Sequence, residues 1–338
     1  MAEVYRSAHA AATRRAEVYR SAHAAAAGAA AENERGELLR RAGRPAEAAE
    51  CFGRALAALD GVADPDPGTH SAILNNLALS AHERGELPLA RRYLVRSLEV
   101  GPLVGDPVGR AITYDNLGVV EVELARLAGE VPAARPEEAA CPDETAAHPD
   151  GTVADPDSAD PDSPDGDLAD PGRVAARGGA ARFAAVHLRE AEGHFAAAER
   201  LFRSVLPEAL DDYLRSVLNR ADAAGLRRDT GRVDRLTRHA AELARHHSVG
   251  AENALEAVTM RGDFLHRRRG RPRAAVELLT ARLPALLPGC AAERSAAALA
   301  VLLRAAAATG DPALVDDVTA RMTELGIPAR SAESAGRR

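Results

Sequence analysis

The run SAILNNLALSAHERGELPLARRYLVRSLEVGPLVG, residues 71–105, decides the fold. Apolar residues cluster at Ile73, Leu74 and Leu77, a glycine follows at Gly85, and Ala90, Leu94, Ser97 and Leu98 then recur at helical spacing. Two amphipathic helices joined at Gly85 account for this pattern, because glycine takes up the left-handed conformation that ends a helix at little cost. Ala90, five places past the glycine, is small enough to let two helices approach closely. Leu94, four places further, fills the space between neighbouring pairs.

The same grammar recurs on either side. Gly43-Arg44-Pro45-Ala46, Gly270-Arg271-Pro272-Arg273 and Gly310-Asp311-Pro312-Ala313 each place a helix-ending glycine two residues before a proline. Proline suits the first turn of the next helix, where its missing N–H is not needed. Ala48, Phe52, Ala55, Leu56 and Leu59 follow the first turn, and Ala198, Phe202, Val205 and Leu206 follow Gly193. Gly43, Gly85, Gly193, Gly231, Gly270 and Gly310 read as the helix-closing positions. The steps from Gly43 to Gly85, Gly193 to Gly231, Gly231 to Gly270 and Gly270 to Gly310 are each roughly 40 residues, the spacing of a helical repeat. Only the step from Gly85 to Gly193 is much longer. Such a period in a helical chain predicts an array of stacked helix pairs.

Composition narrows the class in the same direction. The 338 residues include 77 alanines, no tryptophan and only 3% aromatics, and all 43 basic side chains are arginine. Strand faces need β-branched and aromatic residues, whereas alanine, leucine, arginine and glutamate favour helix. The expected fold class is all-α, a right-handed α-solenoid of about six antiparallel helix pairs. Cys51, Cys141 and Cys290 are too sparse for a disulfide framework and fit a reducing compartment. No apolar run approaches the roughly 20 residues of a membrane span, and residues 1–6 do not read as a secretory signal. A cytoplasmic location without membrane contact is expected.

The long step from Gly85 to Gly193 contains a distinct segment. Residues 129–172 hold thirteen acidic residues and one arginine, a net charge of −12 in a chain whose total is −7. Its Asp-Pro, Ser and Gly text predicts a disordered acidic insertion, because low hydrophobicity with high charge cannot build a core. Subtracting one ordinary step of the period leaves roughly 68 residues over. Either one pair carries that insertion between its two helices, or two repeats are present and one has lost a helix; the helical text of 181–192 then reads as a helix without its own turn partner. At the other end, residues 2–12 are repeated identically at 16–26, fourteen residues or nearly four helical turns later, which lengthens one helix. The expected organisation is a duplicated helical extension at 1–28, repeats at 29–128, the acidic insertion at 129–178, repeats at 179–327 and a disordered tail at 328–338.

Ile73-Leu74-Asn75-Asn76-Leu77-Ala78, followed by Gly85, Ala90, Leu94, Leu98 and Pro102, resembles the tetratricopeptide-repeat family, and Tyr114-Asp115-Asn116-Leu117-Gly118 repeats the Asn-Leu-small signature one period further along. The long period and the Asn-Asn-Leu-Ala string are similar to the longer repeats of kinesin light chains. The resemblance covers about 29–128 and 179–325. Leu236 and Val315 depart from it where alanine is expected, as do Ala240 and Thr319 where a bulky residue is. It implies that the first helix of each pair lines a concave face. Carried over by position, Asn75, Asn76, His82, Glu83, Asn116 and Glu123 then face inward, and Arg261, Arg267 and Arg268 give the C-terminal half a basic lining. An asparagine amide can both donate to and accept from an extended peptide, but it can equally bridge neighbouring helices.

Other clusters favour structural roles. Asp160 to Gly166 lacks the spacing and closing glutamate of a calcium loop. Arg267-Arg268-Arg269-Gly270-Arg271-Pro272-Arg273 contains the Arg-Gly-Arg-Pro core of a minor-groove DNA binder, yet its glycine and proline fall in register with the repeat turns and the chain is acidic overall. His239, His246 and His247 share one helix but have no third metal ligand nearby, and read as surface histidines. No catalytic motif is present, and neither cofactor nor metal is expected. The sequence therefore points to a non-catalytic adaptor holding a peptide or partner protein, an acidic one among the candidates, in a concave groove, with direct nucleic-acid binding not expected. The alternatives are a sensing component that works with a transcription regulator, and, less favoured, an enzyme with a site on the solenoid.

Overall fold

The computed structural model describes residues 2–62, 64–101, 106–130 and 171–324, which form twelve α-helices and no strand. They are α1 (Ala2–Arg41), α2 (Pro45–Asp60), α3 (Pro67–Glu83), α4 (Leu87–Val100), α5 (Pro107–Glu130), α6 (Pro171–Arg203), α7 (Leu210–Leu226), α8 (Thr230–His246), α9 (Ala251–Arg267), α10 (Pro272–Leu286), α11 (Ala292–Thr309) and α12 (Pro312–Glu324). Each odd-numbered helix packs against the even-numbered helix that follows it, giving the six pairs expected from the period. Most of the acidic insertion, residues 131–170, and the tail at 328–338 lie outside the described residues, as does the calcium-loop candidate. The backbone of α6 is helical from Pro171, inside the stretch assigned to the insertion, and α1 runs without a break through position 28.

Local chemistry explains most of the boundaries. Gly43, Gly85, Gly270 and Gly310 all have φ between +61° and +76°, the left-handed region in which a side chain would be strained. Asp66 caps α3 by accepting from the Thr69 N–H at 2.7 Å, which supplies a partner for one of the N–H groups that the first helical turn leaves open. Pro45 and Pro272 open α2 and α10.

Two of the six expected turn glycines are not at turns. Gly231 lies within the first turn of α8, and the left-handed position is taken by Arg228, at φ +58°. Asp229 then caps α8 by accepting from the Arg232 N–H at 2.9 Å, and this cap, not the glycine, fixes where the helix begins. Gly193 is in the middle of α6 with open space around it. An exposed glycine costs a helix only about 1 kcal/mol relative to alanine, and the packing of α6 on α5 outweighs that.

That packing also fixes the register of the third pair. A Cβ on Gly36 would stand 2.5 Å from the Phe52 ring, and one on Gly118 would stand 2.5 Å from the Phe195 ring. Phe195 is therefore the counterpart of Phe52. Ala191, Phe195, Ala198 and Phe202, all fully buried, repeat Ala48, Phe52, Ala55 and Leu59. Gly36 to Gly118 is two periods of the array, whereas Phe52 to Phe195 is longer by roughly 61 residues, more than a whole repeat. The excess thus lies between the two helices of one pair. Residues 181–192 are part of α6 and have α5 as their partner, which removes the unpaired helix.

First helices also touch first helices along the chain: α1 on α3, α3 on α5, α5 on α7, α7 on α9 and α9 on α11. Second helices make no comparable contact with one another among the described residues. An array bends toward the side on which its elements sit closer, so the odd-numbered helices line the concave face.

Candidate functional site

Along the N-terminal two thirds of this face, polar side chains join one first helix to the next in constant register. Asn76 Nδ2 donates to Asn33 Oδ1 at 3.0 Å, Asn116 Nδ2 to Asn75 Oδ1 at 3.1 Å, and Asn219 Nδ2 to Asp115 Oδ2 at 2.9 Å. In each rung a residue two places before the small packing position donates to the residue three places before it on the preceding first helix. The rungs connect α1, α3, α5 and α7. The amides of Asn76 and Asn116 are thus engaged between helices, as is the oxygen of Asn75. Glu83 accepts from Arg40 of α1 at 2.7 Å, and Glu123 accepts from Arg126, which also pairs with Asp222 of α7. His82 is half-buried on α3.

The last of these rungs carries a charge. Asp115 is buried, its Oδ1 has no hydrogen-bond partner, and desolvation pushes its carboxyl up to about 6 in spite of Ser216, Arg215 and Asn219 nearby. Asp222 is likewise pushed up by burial, which outweighs its pairing with Arg126.

The C-terminal third is organised by arginine. Asp234 of α8 accepts from Arg261 at 2.7 Å, Arg269 at 2.6 Å and Arg238 at 2.9 Å. These bonds, Arg261 first, hold its carboxyl down at about 2. Arg261 therefore turns toward α8 and stacks over Phe264, with its centre 5.5 Å from the ring centroid, so it does not line an open groove. Arg268 is the exposed C-cap of α9, where a cation complements the helix dipole. The Arg267–Arg273 stretch forms the α9–α10 turn. His239 is half-buried and within 3.2 Å of the Tyr213 hydroxyl, so it is not a free surface histidine, whereas His246 and His247 are exposed at the end of α8.

Between α9 and α11, both first helices, lies a cavity of about 510 Å³. Leu255, Met260, Ala300 and Val301 give it an apolar floor. Arg294 pairs with Glu256 at 3.0 Å across one end, and Arg267 pairs with Asp263 at 3.0 Å at the other. Arg304 is 3.6 Å from Asp263, and its Nε and Nη1 are buried without hydrogen-bond partners. Desolvation, reinforced by Arg267, lowers the pKa of Arg304. Of the three arginines expected to line a groove, only Arg267 borders this cavity. Arg294 and Arg304 were missed, although Arg304 closes the longest apolar run of the sequence, 296–303, which marked it as a charge beside a buried face.

Residues 26–102, spanning part of α1 and all of α2 to α4, match the tetratricopeptide repeat family model. That stretch carries tetratricopeptide repeats. Among solved structures, Pseudomonas aeruginosa pilF is 13% identical, covers 89% of this chain and 93% of its own, and superposes with a TM-score of 0.51. BtubC (BKLC) from P. vanneervenii is 11% identical over 81% of this chain and 93% of its own, with a TM-score of 0.47. A kinesin light chain protein from Podosopora anserina with TPR-like repeats is 13% identical over 87% of this chain and 92% of its own, with a TM-score of 0.32. No curated protein matches the chain. Tetratricopeptide solenoids are generally protein-interaction scaffolds. No helix among the described residues is long and apolar enough to cross a membrane.

Proposed function

We propose that this tetratricopeptide chain is a non-catalytic adaptor that holds a partner protein against its concave face, with the α9–α11 cavity as the principal contact. The observation that supports this is the cavity itself. It joins an apolar floor to a guanidinium, that of Arg304, with buried donors still to be satisfied. An extended acidic segment carrying an apolar side chain complements both features: the side chain displaces water from the floor, and a carboxylate accepts from arginine in a charge-assisted bond. A role beside a transcription regulator would use the same surface.

Ala297 lines the cavity and is exposed, so Ala297→Trp fills the opening without touching the core. A displayed peptide library selected on the wild-type chain should yield segments mixing acidic and apolar residues. Their affinity should fall at least about 10-fold on Ala297→Trp and also fall on Arg294→Glu. Segments that bind all three proteins equally would place the binding surface elsewhere.

A further inference from the structure

Away from the cavity, α4, α5 and α6 bring together a different set of groups. Glu121 of α5 has no exposed side-chain surface. Its Oε1 accepts from Arg91 Nε at 2.6 Å, and its Oε2 lies against His187 Nδ1 of α6. Arg91 Nη2 also donates to Glu190 at 3.2 Å. His187 and Glu190, three residues apart, share one face of α6. One nitrogen of His187 and one oxygen from each of the two carboxylates lie within 4.8 Å of one another. His194, one turn beyond Glu190, feels the same two carboxylates, and burial lowers its pKa in spite of them.

A carboxylate removed from water needs a cation beside it. Here the cation is Arg91, whose side chain is 41% exposed on a flexible stem. The guanidinium can swing into solvent, whereas Glu121 cannot follow it. We propose that Glu121, His187 and Glu190 bind a divalent transition-metal ion of the zinc type, which takes the place of the Arg91 guanidinium between the two carboxylates. An imidazole nitrogen with two carboxylate oxygens suits Zn²⁺ or Co²⁺, whereas Ca²⁺ and Mg²⁺ select oxygen ligands throughout. Three protein ligands leave a position for water, and the ion ties α5 to α6 in the pair whose helices are separated by the long insertion. Binding requires His187 Nδ1 free of its proton, so affinity decreases as pH falls.

The test is isothermal titration of tag-free, full-length chain with zinc chloride. One ion should bind per chain. His187→Ala and Glu190→Gln should each weaken binding at least about 10-fold, the scale on which metal sites respond even to loss of supporting groups. Arg91→Ala should tighten it, because the competing cation is gone. His246→Ala, at an exposed histidine on α8, should leave it unchanged. Circular dichroism checks that each variant keeps its helices. Should a variant unfold, Co²⁺ added to the wild type decides: strong visible d–d absorption supports a four-coordinate site, and the weak spectrum of a six-coordinate ion overturns it. The proposal also fails if neither wild type nor Arg91→Ala binds zinc saturably, if His187→Ala binds as wild type does, or if Arg91→Ala gains nothing.

Discussion

The first helices of this solenoid are joined in two chemically different ways. From α1 to α7 the rungs are short side chains, asparagine amides at both ends in the first two steps, with the ion pairs Arg40–Glu83 and Arg126–Asp222 beside them. Between α9 and α11 the links are ion pairs, Arg294 with Glu256 and Arg304 with Asp263, arched over a cavity. Neutral rungs fix the spacing of helices and do not respond to salt. Ion pairs on a concave surface weaken as ionic strength rises. The same backbone arrangement thus carries mainly amide links in one region and charged links around a cavity in the other.

The sharpest way to break this contrast is at Asp234, which collects Arg261, Arg269 and Arg238. Asp234→Ala leaves Arg261, whose side chain is 13% exposed, without its carboxylate, and should cost about 3 kcal/mol in urea unfolding. The folded-state pKa of Asp234 is about 2, below its ordinary 3.8, so its contribution is complete above pH 4 and disappears as pH falls through 2. A flat acid limb in the wild type would contradict this assignment.

Next in size is Asp115, the one carboxylate among the rungs. Its folded pKa of about 6 exceeds the ordinary 3.8, so the folded chain binds the proton more tightly than the unfolded one. Stability from this group therefore increases as pH drops from 7 to 4. Asp115→Asn keeps an oxygen for Asn219 and removes the buried charge; it should gain about 1–2 kcal/mol at pH 8 and abolish the rise on acidification. Thermal melts of both proteins across pH 4–8 measure it, and parallel curves would refute the charge argument.

Asn76→Ala removes a neutral rung and should cost about 1 kcal/mol by urea titration, equally at low and high salt. Arg294→Ala marks the opposite extreme. Its pairs with Glu256 and Glu252 are half-exposed, so the loss should be below about 0.5 kcal/mol, visible only at low salt, while peptide affinity falls clearly. A stability loss as large as that of Asn76→Ala would erase the distinction between the two regions.

The pairs, their number and most turns were legible because Gly-x-Pro punctuation and small–large spacing encode them locally. Gly193 misled because a solvent-facing glycine inside a helix reads as a stop. The true register of α6 rests on Phe195 meeting Gly118, a contact between distant parts of the chain that no local window contains. Arg228 was invisible as a turn residue, since a left-handed arginine is recognisable only from its backbone. The placement of the candidate asparagines on first helices was legible, and their partners were not. Asn75, Asn76 and Asn116 lie on the face they were assigned to, but their engagement with α1 and with each other depends on the offset between successive helices. Arg294 and Arg304 emerge only when α11 is laid beside α9.

The extra length of the third pair enters between α5 and α6 of a single hairpin, and the seams with α4 and α7 are of the same kind as elsewhere. The array therefore has a built-in port. Because the closure entropy of a connection changes only logarithmically with its length, exchanging the 131–170 segment for a few residues or for a whole foreign domain alters that contribution by about 2 kcal/mol or less. The length of the chain at this one hairpin can therefore change while every other repeat keeps its place.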